Sequence, residues 1–201
     1  MTLRKRDRAI IDALNRFRCL SRDQIAAMYF DHVKHPVKNA NDVLKRLRRD
    51  GYIDANTDRQ PYVYFPEPSA IRKDSQKVDH YLAIAGVYIE MTAYEQPREF
   101  VVEPRYGADY MEPDAFVRWR GAPWFIEVQR SVYSDKVMNA KFNRYRRYFA
   151  SNEWRDEPWQ PKGRAVFPRV LLIAPTRYAV NVEEFRVFQA PSVQAFVESV
   201  K

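Results

Sequence analysis

A single cysteine, Cys19, is all the chain has, which excludes an intramolecular disulfide and any cysteine-based zinc site. Its position in an apolar helical pattern marks it as a small buried hydrophobe rather than a nucleophile. Long apolar runs are missing as well, and no stretch approaches the roughly 20 residues that a membrane span requires. The basic start Met1-Thr2-Leu3-Arg4-Lys5-Arg6 leads into an amphipathic segment, not a continuous apolar one with a small-residue cleavage site. No secretory leader is read there, and a cytoplasmic location is expected. There is no internal repeat and no low-complexity tract. His32 and His35 form a pair without a third ligand nearby, so no metal site is read from them.

What is present describes a folded, basic protein. Of 201 residues, 46% are apolar and 14% aromatic, enough to fill one large core or two small ones. Thirty-four Lys and Arg against 26 Asp and Glu leave a charge of +8, which favours a polyanionic partner. That charge is uneven: residues 1–66 carry +6, residues 67–79 are balanced, and residues 80–201 carry +2. Turn formers without periodicity at Phe65-Pro66-Glu67-Pro68-Ser69-Ala70 suggest a boundary. The division expected is a domain over 1–66, a linker over 67–79 and a second domain over 80–201.

The first third reads as three helices and a hairpin. Ile10, Ile11, Leu14 and Phe17 lie on one face of a helix over 4–18. Ser21-Arg22-Asp23-Gln24 is a capping box that opens a short second helix through Ile25, Met28 and Tyr29. A third helix over 38–50 turns Val43, Leu44 and Leu47 inward and ends at Gly51. Two short strands follow, Tyr52-Ile53-Asp54 and Tyr62-Val63-Tyr64-Phe65, around a polar turn. This order is that of a winged helix-turn-helix, whose third helix enters a DNA major groove. The DNA-binding set expected is Lys38, Asn39, Asn41, Lys45, Arg46, Arg48 and Arg49, with Arg59 at the hairpin tip reaching a phosphate.

The remainder alternates strands and helices. A largely buried helix over 79–93 precedes strand-like runs over 99–102, 114–119 and 124–129. A helix over 134–149 carries Met138, Phe142, Tyr145 and Phe149 on one face, a buried strand covers 168–174, and a last amphipathic helix is expected over 181–199. Alternation puts Phe125, Glu127 and Gln129 on one face of their strand and Trp124, Ile126 and Val128 on the other. An acid and an amide in an otherwise apolar strand break the binary pattern, as functional residues do. Asp114 and Glu127, on adjacent strands, are the right residue types to hold a hard divalent cation, Mg2+ or Mn2+, with the Val128 carbonyl as third ligand. Such an ion activates a water against a phosphodiester. Arg144, Tyr145, Arg146, Arg147 and Tyr148 form a basic-aromatic cluster that reads equally as a DNA-tracking face or a solvated one.

Pro113-Asp114 followed by Glu127-Val128-Gln129, within helix, three strands, helix, strand, resembles the PD-(D/E)XK nuclease-like fold. The resemblance implies that Asp114 and Glu127 bind magnesium and that the third motif position, usually Lys, positions the attacking water. Here that position is Gln129, and Lys136 or Lys141 on the following helix can supply the missing charge. Glu90 matches an acid that many members carry on the preceding helix. The whole chain further resembles the replication–relaxation family of plasmids and mobile elements, through Leu20-Ser21-Arg22-Asp23-Gln24-Ile25, Leu44-Lys45-Arg46-Leu47, His80, Pro113-Asp114-Ala115 and Phe125-Ile126-Glu127-Val128. The fold class implied is α+β: an N-terminal winged helix-turn-helix, then an α/β restriction-endonuclease-like domain with a mixed central sheet flanked by helices.

Three functions stay open on the sequence. One is a DNA-binding replication protein with a metal-dependent nuclease domain. Another is a replication or transcription regulator whose nuclease-like domain is catalytically silent. The last is an adaptor that touches no DNA. DNA, replication proteins and a second copy of the chain are the partners carried forward, and no membrane is among them.

Overall fold

The computed structural model describes residues 2–200 and divides the chain into two compact units, Met1–Ile89 and Glu90–Lys201. The first unit opens with α1 (Lys5–Phe17), which buries Ile10, Ala13, Leu14 and Phe17. A two-residue strand, β1 (Leu20–Ser21), leads into α2 (Arg22–Tyr29). The expected capping box is formed in full: Ser21 Oγ accepts from Gln24 N–H at 3.1 Å, and Gln24 Oε1 accepts from Ser21 N–H at 3.0 Å. Next comes α3 (Pro36–Arg49), which starts two residues earlier than its apolar periodicity indicated because Pro36, with its φ preset, occupies the first turn.

The end of α3 follows from Gly51. Its φ of +77° lets Gly51 N–H donate to Arg48 C=O at 3.1 Å and Tyr52 N–H to Leu47 C=O at 3.0 Å, the paired bonds of a Schellman motif. The chain then turns into β2 (Ile53–Asn56) and β3 (Val63–Pro66), and the antiparallel sheet has the order β1-β3-β2. Residues 67–79, expected as a linker, lie within this unit. Lys73 pairs with Asp54, Asn56 Nδ2 donates to the Lys73 carbonyl at 3.0 Å, and Arg59 pairs with Asp79. The helix α4 (Val78–Thr92) begins in this unit, where its Leu82 carbonyl accepts from Gln24 Nε2 at 2.7 Å.

The second unit is built on a five-stranded mixed sheet of order β4-β5-β6-β7-β8. β4 (Glu99–Val102), β5 (Ala115–Trp119) and β6 (Ala122–Val128) form an antiparallel meander. The β5–β6 turn is two residues, Arg120 and Gly121, both at positive φ (49° and 70°), the combination a type I′ turn needs. A crossover through α5 (Asp135–Ser151) returns the chain to β7 (Arg169–Ile173), parallel to β6, and β8 (Val187–Ala190) extends the sheet in parallel.

Alternation along β6 sorts its side chains as expected. Phe125 joins Phe116, Val170 and Leu172 against Met138, Phe142, Tyr145 and Tyr148 of α5, while Trp124 packs on Phe188 and on Phe196 of α6 (Val193–Ser199). The single long helix expected over 181–199 is not formed: loop, strand β8 and the short α6 occupy that span. Pro191 accounts for it, since it holds Ala190 extended and cannot donate within a helix, and Ser192 then caps α6 through Ala195 N–H at 3.1 Å. The architecture is thus α+β, with six α-helices among the described residues. No described helix is long and apolar enough to cross a membrane.

Candidate functional site

The pattern break in β6 sits at the strand's carboxyl end, where the antiparallel and parallel parts of the sheet meet. Glu127 is fully buried on the α5 face, and two α5 side chains close over it. Lys141 Nζ donates to Glu127 Oε2, and Tyr145 Oη donates to Glu127 Oε1 at 2.7 Å. Lys141 and Tyr145 are one helical turn apart, so a single helix face delivers both donors. Asp114 lies just before β5, half-buried, and its Oδ2 accepts from Val128 N–H at 2.6 Å. A strand residue's N–H and C=O leave on the same side, so the Val128 carbonyl also faces the edge where Asp114 stands.

Charge is concentrated here with little water to screen it. Burial raises the Glu127 carboxyl above its ordinary value, and the Asp114 charge adds to that against the pull of Lys141. Burial works against the Lys141 ammonium, yet Glu127 and Asp114 together raise it above the usual lysine value. Burial, then Glu127, lifts the Tyr145 phenol well above its ordinary range, so it stays a hydrogen-bond donor. Asp114, Glu127 and Lys141 therefore act on one another as one electrostatic cluster.

The other expected members lie as follows. Gln129 is buried, and its N–H continues the parallel ladder to the Ile173 carbonyl at 2.8 Å. Lys136 is exposed in the first turn of α5. Glu90 is engaged elsewhere: its Oε2 accepts from Val193 N–H at 2.8 Å, at the start of α6. Among the described residues no group of three or more His, Cys, Asp or Glu side chains is arranged around a metal position. In sequence Tyr145 is a core position or part of a basic-aromatic cluster; its spacing of four from Lys141 is the signal that ties it to Glu127.

In the first unit, Lys38, Asn41, Lys45, Arg48 and Arg49 form an exposed stripe along α3. Asn41, Lys45, Arg48 and Arg49 also line a groove of about 680 Å3 whose other wall carries Tyr62 and Tyr64 of the hairpin. Neither tyrosine was singled out for DNA contact from the sequence. Four of the expected cations are ion-paired within the protein: on the stripe Arg48 Nε lies 3.5 Å from Asp54 Oδ1 and Arg49 Nε 2.9 Å from Asp50 Oδ1, while Arg46 and Arg59 point elsewhere. Arg46 Nη2 donates to the buried Asp7 Oδ1 at 2.7 Å, tying α3 to α1. Burial alone raises the Asp7 carboxyl, but Arg46 and Arg4 overcome this and hold it below the ordinary aspartate value. Arg59 is paired with Asp79. Asn39 is exposed, and its side chain donates to the His35 carbonyl at 2.8 Å. Cys19 is buried, and burial pushes its thiol up to about 12, so it is no nucleophile.

Comparison with curated proteins and with solved structures gives no match. A protein-family model, replication-relaxation, matches residues 11–161, about three quarters of the sequence. The matched span takes in the second half of α1, all of α2 and α3, the hairpin, the Asp114–Glu127 cluster and all of α5. The chain belongs to the replication-relaxation family.

Proposed function

We propose that this chain is a DNA-binding protein of plasmid or mobile-element replication. In this reading its first unit is a winged helix-turn-helix, and its second a PD-(D/E)XK-like domain that cleaves a DNA phosphodiester with a divalent cation. One observation carries the proposal: Asp114, Glu127 and Lys141 converge at the carboxyl end of β6. The donor types suit Mg2+ or Mn2+, because the two carboxylates and the Val128 carbonyl are hard oxygen ligands. A bound cation would supply Lewis-acid activation of a water.

The protein groups do the rest. Asp114 is held by the Val128 N–H, and Tyr145 fixes the rotamer of Glu127. Lys141 has the charge that Gln129 lacks at the third motif position, and its side chain is partly open to solvent. On release from Glu127 it can donate to a scissile phosphate oxygen or an attacking water. In the first unit the α3 stripe supplies cations to the DNA backbone, and Asn41 lies where an amide can read a base edge.

Full burial of Glu127, with both oxygens already bonded, favours a second reading in which the cluster is a structural ion pair and the domain is catalytically silent. Nicking of supercoiled plasmid DNA in magnesium separates the two. The wild type should nick, and Asp114→Asn and Glu127→Gln should each abolish it with the circular-dichroism spectrum unchanged. Equal activity in either variant, or none in the wild type, removes the nuclease reading.

A further inference from the structure

At the opposite end of β5 from Asp114, a cavity of about 220 Å3 is bordered by Arg98, Arg118, Trp119, Pro123 and Trp159. The arginines are joined only through their backbones, Arg98 N–H donating to Arg118 C=O at 2.9 Å. Neither guanidinium has an ion-pair partner among the described residues, whereas Arg46, Arg59 and Arg146 are all paired. Trp159 is half-buried and backed by Phe116, with ring centroids 4.9 Å apart, so its ring is held by packing. Among the described residues its indole N–H is a buried donor with no acceptor. A buried donor without a partner costs free energy, so what Trp offers here over Phe is the larger ring face. Trp159 and Arg118 also border a neighbouring cavity of about 460 Å3 that includes Arg105 and Tyr106.

We propose that this corner of the second unit holds one unpaired nucleotide of a DNA strand, its base against Trp159 and its phosphates against Arg98 and Arg118. An aromatic face beside free guanidiniums is the chemistry that takes a stacked base and its backbone whatever the sequence. Glu95 is the one acid on the lining of the smaller cavity, and Glu99 and Glu157 are on that of its neighbour. The separation leaves room for a strand that also meets the cluster: Asp114 to Trp119 is five residues of extended chain, about 17 Å. The inference rests on the second unit handling nucleic acid.

Fluorescence anisotropy of the full-length protein tests it, with a short labelled oligothymidylate and a hairpin duplex as probes. Arg98→Gln, Arg118→Gln and Trp159→Leu should each weaken oligothymidylate binding by about tenfold, and Trp159→Phe by less. Duplex affinity should stay within about twofold. Arg98 is exposed, so Arg98→Gln leaves the core untouched and keeps the test valid if the tryptophan variants misfold. Unchanged oligothymidylate affinity in the arginine variants overturns the proposal, as does equal weakening for both probes. A wild type that binds duplex but not oligothymidylate overturns it while leaving the DNA-binding reading standing; binding of neither probe removes both.

Discussion

Among single residues, Glu127 and Lys141 are unequal partners. The Glu127 carboxyl is raised, so keeping it ionised in the interior opposes folding at neutral pH; the Lys141 ammonium is raised too, so pairing favours folding. Glu127→Gln should therefore leave stability within about 1 kcal/mol of wild type, whereas Lys141→Met, which strands a buried acid, should cost about 2–3 kcal/mol. The double variant should recover most of that loss, and urea denaturation of the four proteins checks it. The Lys141 contribution is present below the unfolded lysine pKa and is lost as pH rises through the folded one, so the wild type should show an alkaline step that is smaller in Glu127→Gln and absent from both proteins that lack Lys141. Asp7 and Arg46 behave in the opposite sense. With the Asp7 carboxyl lowered, its contribution is present above the unfolded aspartate pKa, about 3.9, and is lost as pH falls through the folded value. Arg46→Ala should cost about 2–3 kcal/mol at pH 7 in thermal or urea unfolding and shrink that acid step to what Arg4 sustains.

These residues show how far a sequence can be read at this scale. Glu127 was visible because an acid interrupts an apolar strand. Lys141 was visible as a charge one helix away, but its contact with Glu127 depends on how α5 crosses the sheet, which no local pattern encodes. Arg46 looks like its neighbours Lys45 and Arg48 in sequence. Only the buried Asp7, itself inconspicuous between Arg6 and Arg8, separates it from the solvent-facing stripe.

At the level of elements, caps were the most legible signals. Ser21–Gln24 and Gly51 each fixed a helix end because the bonds that satisfy a helix terminus are local. The span 181–199 failed for the converse reason: a few apolar residues at helical spacing cannot be told from a strand followed by a short helix, and Pro191 was the overlooked punctuation. The stripe on α3 carries its own prediction. Replacing Lys45, Arg48 and Arg49 with Ala should weaken duplex binding for every sequence, each lost phosphate contact flattening the log–log salt dependence by about 0.9. A slope unchanged in the triple variant shifts the account towards the adaptor.

For the molecule as a whole, the two units differ in charge and in where their ionisable groups lie. The first holds +6 of the +8 and has an exposed basic stripe on α3, while the second is nearly balanced and holds the buried Glu127 cluster. Salt-dependent affinity should therefore reside in the first unit and metal dependence in the second. In the proposed function Asp114 and Glu127 share a cation once Lys141 yields. Titration calorimetry with MnCl2 into the full-length protein addresses it directly. A single saturable site in the wild type, absent in both Asp114→Asn and Glu127→Gln, is the result the account predicts; no heat from the wild type, or wild-type heat from Glu127→Gln, contradicts it.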